Sequence, residues 1–537
     1  MAKTTFDAKT TFDDIKKALW DGANTFRDNI DAANYKDYVL SMFFVKYLSD
    51  TYAESVDDLK EKYDGIRLER QIDNLPFTLK YEYTFDYLLE NQFATDLGNK
   101  ISEALTGIES SNAILNGIFR GIDFNSESNL GKKEQKNPIL RNLLNDFANL
   151  NLRPRNIETK EGQIPADVIG DAYEYMIGEF ATMAGKKAGS FFTPQQVSEI
   201  MAQIAAPTAN DRVYDPTCGS GSLLIRAARK GGFDKVQIYG QEVNSSAISM
   251  ARMNMFIHGV KDANIKWGDT LANPQHLDSD GNLMKFDCIV ANMPFSKDKW
   301  AEGFNPGGEV SVDDDETDSG KKKTKKKEFK MEANLDRWHR FDMGIPPASK
   351  GDWAFLLHMI ASMSGNGRVA AVAPHGVLFR GASEGRIRQT VIEKNLIDAV
   401  IGLPENLFYG TSIPACIIVF RKGRKTTDIL FVDASKEFKK DKAKNVLEPA
   451  NITKIVEIYQ AFRNGGNAEV EKYSHVATLD EILENEYNLN IPRYVDTFEE
   501  EEIVDIDEVN SEIADLKTKI AEVEKQMAKY LEELGLN

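Results

Sequence analysis

Cysteine is scarce in this chain, with three in 537 residues. Cys218, Cys288 and Cys416 lie far apart, in or beside apolar segments, with no Cys-x-x-Cys pair and no Cys/His spacing. That pattern excludes a disulfide framework and a zinc-finger-type site, and it fits a reducing compartment. Histidine is nearly as scarce, with six scattered residues. His258 and His358 fall inside helical patterns, where a lone imidazole reads as a packed side chain, and no metal site is expected. No run of about 18 uncharged apolar residues exists to span a membrane. The opening MAKTTFDAKTTFDD has neither the basic flank nor the apolar core of a signal peptide, so a cytoplasmic protein without membrane contact is expected. Positive charge is also short: Lys+Arg number 66 against 84 Asp+Glu, a net charge of −18. Such a balance is a poor footprint for holding nucleic acid unaided, so a nucleic-acid substrate would imply a partner that supplies much of the grip.

The apolar fraction, 42%, is ample for large cores, and the length implies several domains. Residues 1–155 read as a helical domain, with Tyr35, Val39, Met42 and Phe43 at amphipathic spacing. Polar residues 127–137 and Arg153-Pro154-Arg155 interrupt it before a further helical pattern, ADVIGDAYEYMIGEFA, begins at Ala166. From Arg212 short β-rich runs (RVYD, VQIYG, IKWGD, FDCIVA, RVAAVAP, LIDAVIGLP, ACIIVF) alternate with helical ones. That alternation predicts a doubly wound, mostly parallel α/β sheet covered by helices. The second domain is placed at 156–495, interrupted by a charged loop at 296–350 that carries the opposed blocks VDDDETD and KKKTKKK. A solvated, mobile loop is its plainer reading, and contact of the lysines with a phosphate backbone is the functional one. Residues 496–537 form a tail in which Ile506, Val509, Ile513, Leu516, Ile520, Val523, Met527, Tyr530 and Leu534 recur at spacings of three and four. This is a coiled-coil seam, too wide for one helix to bury on itself, and docking onto another subunit is expected.

Chemistry concentrates at strand ends. In YDPTCGSGSLL, Gly219 and Gly221 permit a tight turn with close backbone approach to a ligand, and a helix starts directly after it. No Lys-Ser/Thr follows, as a phosphate-binding P-loop requires, and Asp215 at the strand end can meet a cationic amino group. The ligand reads as an amino-acid-bearing nucleoside. Glu242 closes the second strand, where an acid accepts hydrogen bonds from ribose hydroxyls, and Asp269 closes the third at the height of a nucleobase. The run FDCIVANMPFSKDKW then ends a buried strand in Asn292-Met293-Pro294-Phe295, an amide, a turn and a ring side by side. Most of the later βα units are read as core, with His375, just beyond a strand end, as a lesser candidate for the edge of the cavity.

The order FFTP, DPTCGSG, strand-terminal Glu, strand-terminal Asp and NMPF resembles the S-adenosylmethionine-dependent amino-methyltransferases that modify adenine N6 in DNA. The helical N-terminal region, Gly189-Ser190-Phe191-Phe192-Thr193-Pro194, the late EYNLNIPRYV and the C-terminal heptads are similar to the modification subunit of type I restriction-modification systems, over nearly the whole chain. The resemblance implies a seven-stranded, Rossmann-like methyltransferase sheet with a helical N-terminal domain and a coiled-coil tail. It implies that Ser190, Phe191, Phe192, Thr193, Pro194 and Gln195 close over the methionine end of S-adenosylmethionine. Asp215, Gly219, Ser220, Gly221 and Ser222 would hold its amino and carboxylate groups, Glu242 its ribose and Asp269 its adenine. The expected partners are DNA, a specificity subunit shared by two modification subunits, and a restriction subunit.

For the target base, the resemblance gives the NMPF element its role. An exocyclic amine is a weak nucleophile because its lone pair is delocalised into the ring. Acceptors at the Asn292 side chain and the Met293 carbonyl would pull on its two N–H bonds and free that pair. Phe295 would stack on a base turned out of the duplex, and Pro294 would set the turn. The family pattern is Asn-Pro-Pro-Phe or -Tyr, so Met293 departs from it. A backbone carbonyl survives the change, while the rigidity of a proline does not. Two other readings stay open: a protein-glutamine or RNA methyltransferase, and a non-catalytic DNA-clamping subunit.

Overall fold

The computed structural model describes residues 9–27, 30–184, 192–304, 312–313, 325–326, 331–409, 411–441, 444–497 and 506–534. The chain divides into two units, Met1–Val495 and Asp496–Asn537. In the first, the helices Phe12–Arg27, Ala32–Lys60, Lys133–Ala148 and Pro165–Ala184 pack on one another. Asp31 caps Ala32–Lys60 by accepting from the Ala33 amide, and the expected stripe Tyr35, Val39, Met42 and Phe43 is buried. Charge is buried there too, where it is matched. Lys46 meets Asp50 at 2.7 Å, and the other Asp50 oxygen accepts the Leu152 amide at 2.7 Å. One apolar cluster joins these helices to Pro165–Ala184 and to part of Ser245–Ile257, so the helical region and the first βα units share a core.

The sheet comprises β1 (Arg212–Asp215), β2 (Gln237–Glu242), β3 (Asn264–Trp267), β4 (Phe286–Asn292), β5 (Met363–Pro374), β6 (Ile397–Gly402), β7 (Ala415–Arg421), β8 (Ile429–Asp433) and β9 (Ser474–Ala477). Their spatial order is β9-β8-β6-β7-β5-β4-β1-β2-β3. All neighbours pair in parallel except β7, antiparallel to both β5 and β6, and β9, antiparallel to β8. Parallel pairing with helical crossovers sets the carboxyl ends of β1, β2, β3, β4 and β5 along one edge, where open α/β sheets bind ligands.

Two expectations change. The sheet has nine strands rather than seven. Every residue of β6 is buried, and an uncovered edge there would leave its backbone groups unpaired, which the apolar β8 and the short β9 prevent. Nor is 296–350 a mobile loop throughout. Its ends zip together, Trp300 Nε1 donating to Pro347 O at 3.0 Å and Gly351 N to Lys297 O at 2.9 Å, while Trp300, Met331, Arg340 and Phe341 are buried. Aromatic side chains spaced too irregularly to read as an element nonetheless make a core. Most of the lysine block 321–327 lies outside the described residues; Lys325–Lys326 pairs with Val312–Asp313 as a two-residue ladder.

The second unit contains the 28-residue helix Ile506–Glu533. Ile513, Leu516, Ile520, Val523, Met527 and Tyr530 are exposed along it; the side chains of Ile506 and Val509 lie outside the described residues. No helix among the described residues is long and apolar enough to cross a membrane.

Candidate active site

The turn after β1 folds as its glycines dictate. Gly219 (φ +53°) and Gly221 (φ +80°) are both left-handed, and a Cβ on Gly221 would stand 3.2 Å from the Met255 side chain and 3.4 Å from Ala251. The turn is tied to β2 by Cys218 N donating to Gln241 O (3.0 Å) and Gly219 N to Glu242 Oε2 (3.0 Å), and the helix Ser222–Gly231 departs from it. A narrow cleft opens here. Phe192, Thr193, Asp215, Gly219, Ser220, Ser222 and Asn292, all singled out from the sequence, line it together with Thr217, Cys218 and Leu223.

Its electrostatics are lopsided. Asp215 is 2% exposed; burial pushes its carboxyl up to about 8, against hydrogen bonds from Thr217, and the nearby Glu242 adds to the rise. Glu242 is buried and likewise raised by burial, although its carboxylate accepts amides from Val243 and Asn244 (2.8 Å each) and from Gly219. Among the described residues that line the cleft there is no guanidinium or ammonium group. Two buried acids without a cation suit a ligand that brings positive charge. The α-ammonium and sulfonium of S-adenosylmethionine supply it, so the donor set fits that cofactor: Asp215 faces the cleft and Glu242 stands behind the glycine turn.

Not every expected residue lines the cleft. Gly221 caps the helix below it; Pro194 and Gln195 begin the helix Gln195–Ala205. Asp269 stands beyond β3, its Oδ1 accepting from Leu271 N (2.9 Å) and Ala272 N (3.2 Å). Ser190 and Phe191 lie outside the described residues. Phe192 is buried, seated on Gly178 and edge-on to Tyr409 at 5.6 Å, so it packs between helix and sheet while also facing the cleft.

At the end of β4, two-residue alternation separates neighbours. Ile289, Ala291 and Met293 join the core on one face of the sheet; Cys288 and Val290 join the core on the other. Asn292 belongs to the second set and opens onto the cleft. Its Nδ2 donates to Thr193 Oγ1 at 3.1 Å, which leaves the side-chain carbonyl oxygen as the acceptor for a ligand. Met293 is 1% exposed, so packing pins it where a proline ring would have done so covalently. The next turn is anchored as well: Ser296 N donates to Asp352 Oδ1 at 2.6 Å, and Arg380 Nη1 meets Asp352 Oδ2 at 3.0 Å. Pro294 is exposed, and Phe295 lies edge-on to Phe408 at 5.8 Å, forming an aromatic wall outside the cleft proper.

Sequence reasoning missed Thr193 as a partner of Asn292, and it missed Asp352, Arg380 and Phe408. Only Phe408 left a signal, the aromatic pair in NLFYG after a buried strand. It also missed a buried chain beneath the site. Arg340 donates to Leu271 O (2.6 Å), Thr270 O (3.2 Å) and His358 Nδ1 (3.1 Å), and His358 Nε2 therefore donates to the Tyr214 hydroxyl at 3.2 Å. Burial and the Arg340 charge hold His358 far below the usual histidine range, hence neutral. Thr270 in turn donates to Pro216 O at 2.5 Å, so both neighbours of Asp215 are held from below.

Two family models match the chain. The one described as N-6 DNA Methylase covers residues 165–503, and the one described as HsdM N-terminal domain covers residues 15–147. The chain is 32% identical to the type I restriction enzyme MpnII methylase subunit of Mycoplasma pneumoniae, with 97% of this chain and 98% of that protein aligned. It is 30% identical to the HindI methylase subunit of Haemophilus influenzae over 81% of this chain and 92% of that one. The solved type I restriction-modification system methyltransferase subunit from Streptococcus thermophilus superposes with a TM-score of 0.74 at 34% identity, covering 91% of this chain and all of that one.

Proposed function

The chain belongs to the N-6 DNA methylase family, and on that premise we propose that it is the modification subunit of a type I restriction-modification complex. It is a DNA methyltransferase that uses S-adenosylmethionine to methylate adenine N6. The observation that carries the residue assignment is the pairing of Asn292, its amide turned by Thr193, with Asp215 in one cleft. The protein-glutamine, RNA and non-catalytic readings are not favoured by any of the similarities.

When bound, S-adenosylmethionine supplies a methyl group on a sulfonium. Asp215 would receive its ammonium, the amides around Gly219 and Ser220 its carboxylate, Glu242 the ribose hydroxyls and Asp269 the adenine amine. Asn292 Oδ1 and the Met293 carbonyl would accept the two hydrogens of the target amine and so free its nitrogen lone pair for attack, and the proton that the amine must lose would pass to solvent. Phe295 stacks on the extruded base. No general base is needed before attack.

Partners follow the same reading. DNA is the substrate, and a specificity subunit supplies sequence recognition, consistent with the net charge of −18. Two modification subunits share it, and a restriction subunit can join. The exposed stripe of Ile506–Glu533 is the docking surface for the specificity subunit. The helical domain spans 1–155, the methyltransferase domain 156–495 and the docking tail 496–537, and three buried free thiols suit the cytoplasm. The test is methyl transfer from labelled cofactor to a DNA library, with the chain alone and with its specificity subunit, followed by nucleoside analysis. N6-methyladenine that requires the partner supports this reading; cofactor and DNA binding without a methylated base overturns it.

A further inference from the structure

Where Pro165–Ala184 crosses the end of Ser245–Ile257, three side chains converge that the methyl-transfer reading leaves without a task. Asp171 and Glu174 lie three residues apart on one helical face, and His258 terminates the other helix. One ligand atom from each falls within 4.8 Å of the others. We propose that Asp171, Glu174 and His258 bind a divalent transition-metal ion of the zinc class, tying the two helices together.

The imidazole carries the argument. His258 is 3% exposed, and its Nδ1 lies 3.0 Å from Asn254 O, a carbonyl that can only accept. The proton therefore sits on Nδ1, and in the neutral ring Nε2 presents a bare lone pair. Among the described residues nothing hydrogen-bonds that nitrogen, and the nearest carboxylate oxygen, Asp171 Oδ1, is 3.9 Å away. That is too long for a hydrogen bond, and a lone pair facing a carboxylate is repulsive unless positive charge lies between them. Glu174, 1% exposed, leaves Oε1 equally unpartnered. Two ligands on one zinc-class ion stand somewhat more than about 3 Å apart, given bonds of about 2 Å, so modest closure of the cluster suffices. A histidine held by a backbone carbonyl through its second nitrogen is the usual support of a metal-bound imidazole. The backbone makes room for it: a Cβ on Gly170 would stand 2.5 Å from Cε1 and Nε2 of the ring.

Charge balance agrees. Arg229 reaches Asp171 (3.1 Å) and Asp167 (3.7 Å), and Arg226 lies near Glu174 (3.7 Å) and Glu199 (3.8 Å). Four carboxylates against two guanidinium groups leave two negative charges, which one divalent cation neutralises. The ion would brace the helix that leads toward Thr193 against the helix that follows Glu242, and so steady both walls of the cofactor cleft.

The test uses the full chain, stripped with chelator and then titrated with zinc or cobalt(II) alone. Expected are one zinc per chain by elemental analysis, a rise in melting temperature on adding zinc, and visible ligand-field bands with cobalt. His258→Ala should weaken zinc binding at least tenfold and abolish the cobalt bands, while His475→Ala, at the exposed His475–Glu469–Glu481 group, should leave both intact. Should His258→Ala fail to fold, Asp171→Asn, at a partly exposed position, carries the same expectation. Stripped protein that takes up no stoichiometric zinc, or zinc affinity unchanged in these variants, overturns the site.

Discussion

The two halves of the cleft are built by different means. At the proposed cofactor end, backbone amides do the holding: Gly219, Val243 and Asn244 fix the Glu242 carboxylate, and Thr217 fixes Asp215, all within a short span of chain. At the proposed target end, side chains remote in sequence do it: Thr193 turns Asn292 from 99 residues away, and Asp352 anchors Ser296 from 56 residues away. A nucleoside that is the same in every cycle can be met by a preformed backbone cradle. An amide that must present its oxygen, and not its nitrogen, needs a partner to choose between two nearly isosteric orientations. The first half should therefore tolerate side-chain changes that the second does not.

The sharpest way to break that comparison is Asn292→Ala. Loss of a preorganised hydrogen-bonding group at the reacting atom should cost about 10²–10³-fold in kcat, with cofactor affinity unchanged by calorimetry; equal losses in both would mean that Asn292 holds the cofactor. Next comes Thr193→Val, which keeps the shape and removes the oxygen that orients the amide. A roughly 10–100-fold fall in single-turnover rate is expected, restored by Thr193→Ser, and a failure of serine to rescue would reduce Thr193 to a packing residue.

The cofactor half makes a pH prediction. Below pH 8 the ligand-free Asp215 carboxyl holds a proton that a cationic ligand must expel, so affinity should strengthen as pH rises toward about 8, by up to about tenfold per unit. For folding the sign runs the other way. The folded-state value is raised, so the contribution of Asp215 to the stability of the ligand-free chain is fully present below the ordinary Asp range and is lost as pH climbs from there to about 8. Asp215→Asn should flatten both profiles; a wild-type affinity independent of pH between 6 and 8 would contradict the buried, proton-holding acid.

The smallest effect on rate is expected from Met293→Pro, which restores the family's common residue. Because packing already pins this position, kcat should move by less than about threefold, while the emptied pocket costs about 2–4 kcal/mol of stability, read as a lower melting temperature. A large gain in rate would instead show that packing is a poor substitute for a ring.

Local signals made part of this readable in advance. Glycines that must be left-handed, acids at successive strand ends and an apolar run that stops in Asn-Met-Pro-Phe each depend on neighbours in the chain, and in a parallel sheet strand ends meet at one edge whatever the details. The packing of 331–350 against Trp300 was illegible because Arg340 and Phe341 follow no period, and β9 because Ser474–Ala477 is short and becomes a strand only by pairing with β8. Phe408 faces Phe295 through the antiparallel insertion of β7, a topological fact that no spacing encodes.

By itself, then, the amino-acid sequence determined the α/β class, the glycine turn, the acids that end β1 and β2 and the position of the amide–aromatic element after β4, because these rest on backbone conformation and on chemistry carried by adjacent residues. Tertiary structure alone decided which oxygen of the site is free, which carboxyls burial pushes up and what replaces a missing proline, because orientation, desolvation and packing are set by residues brought from far along the chain.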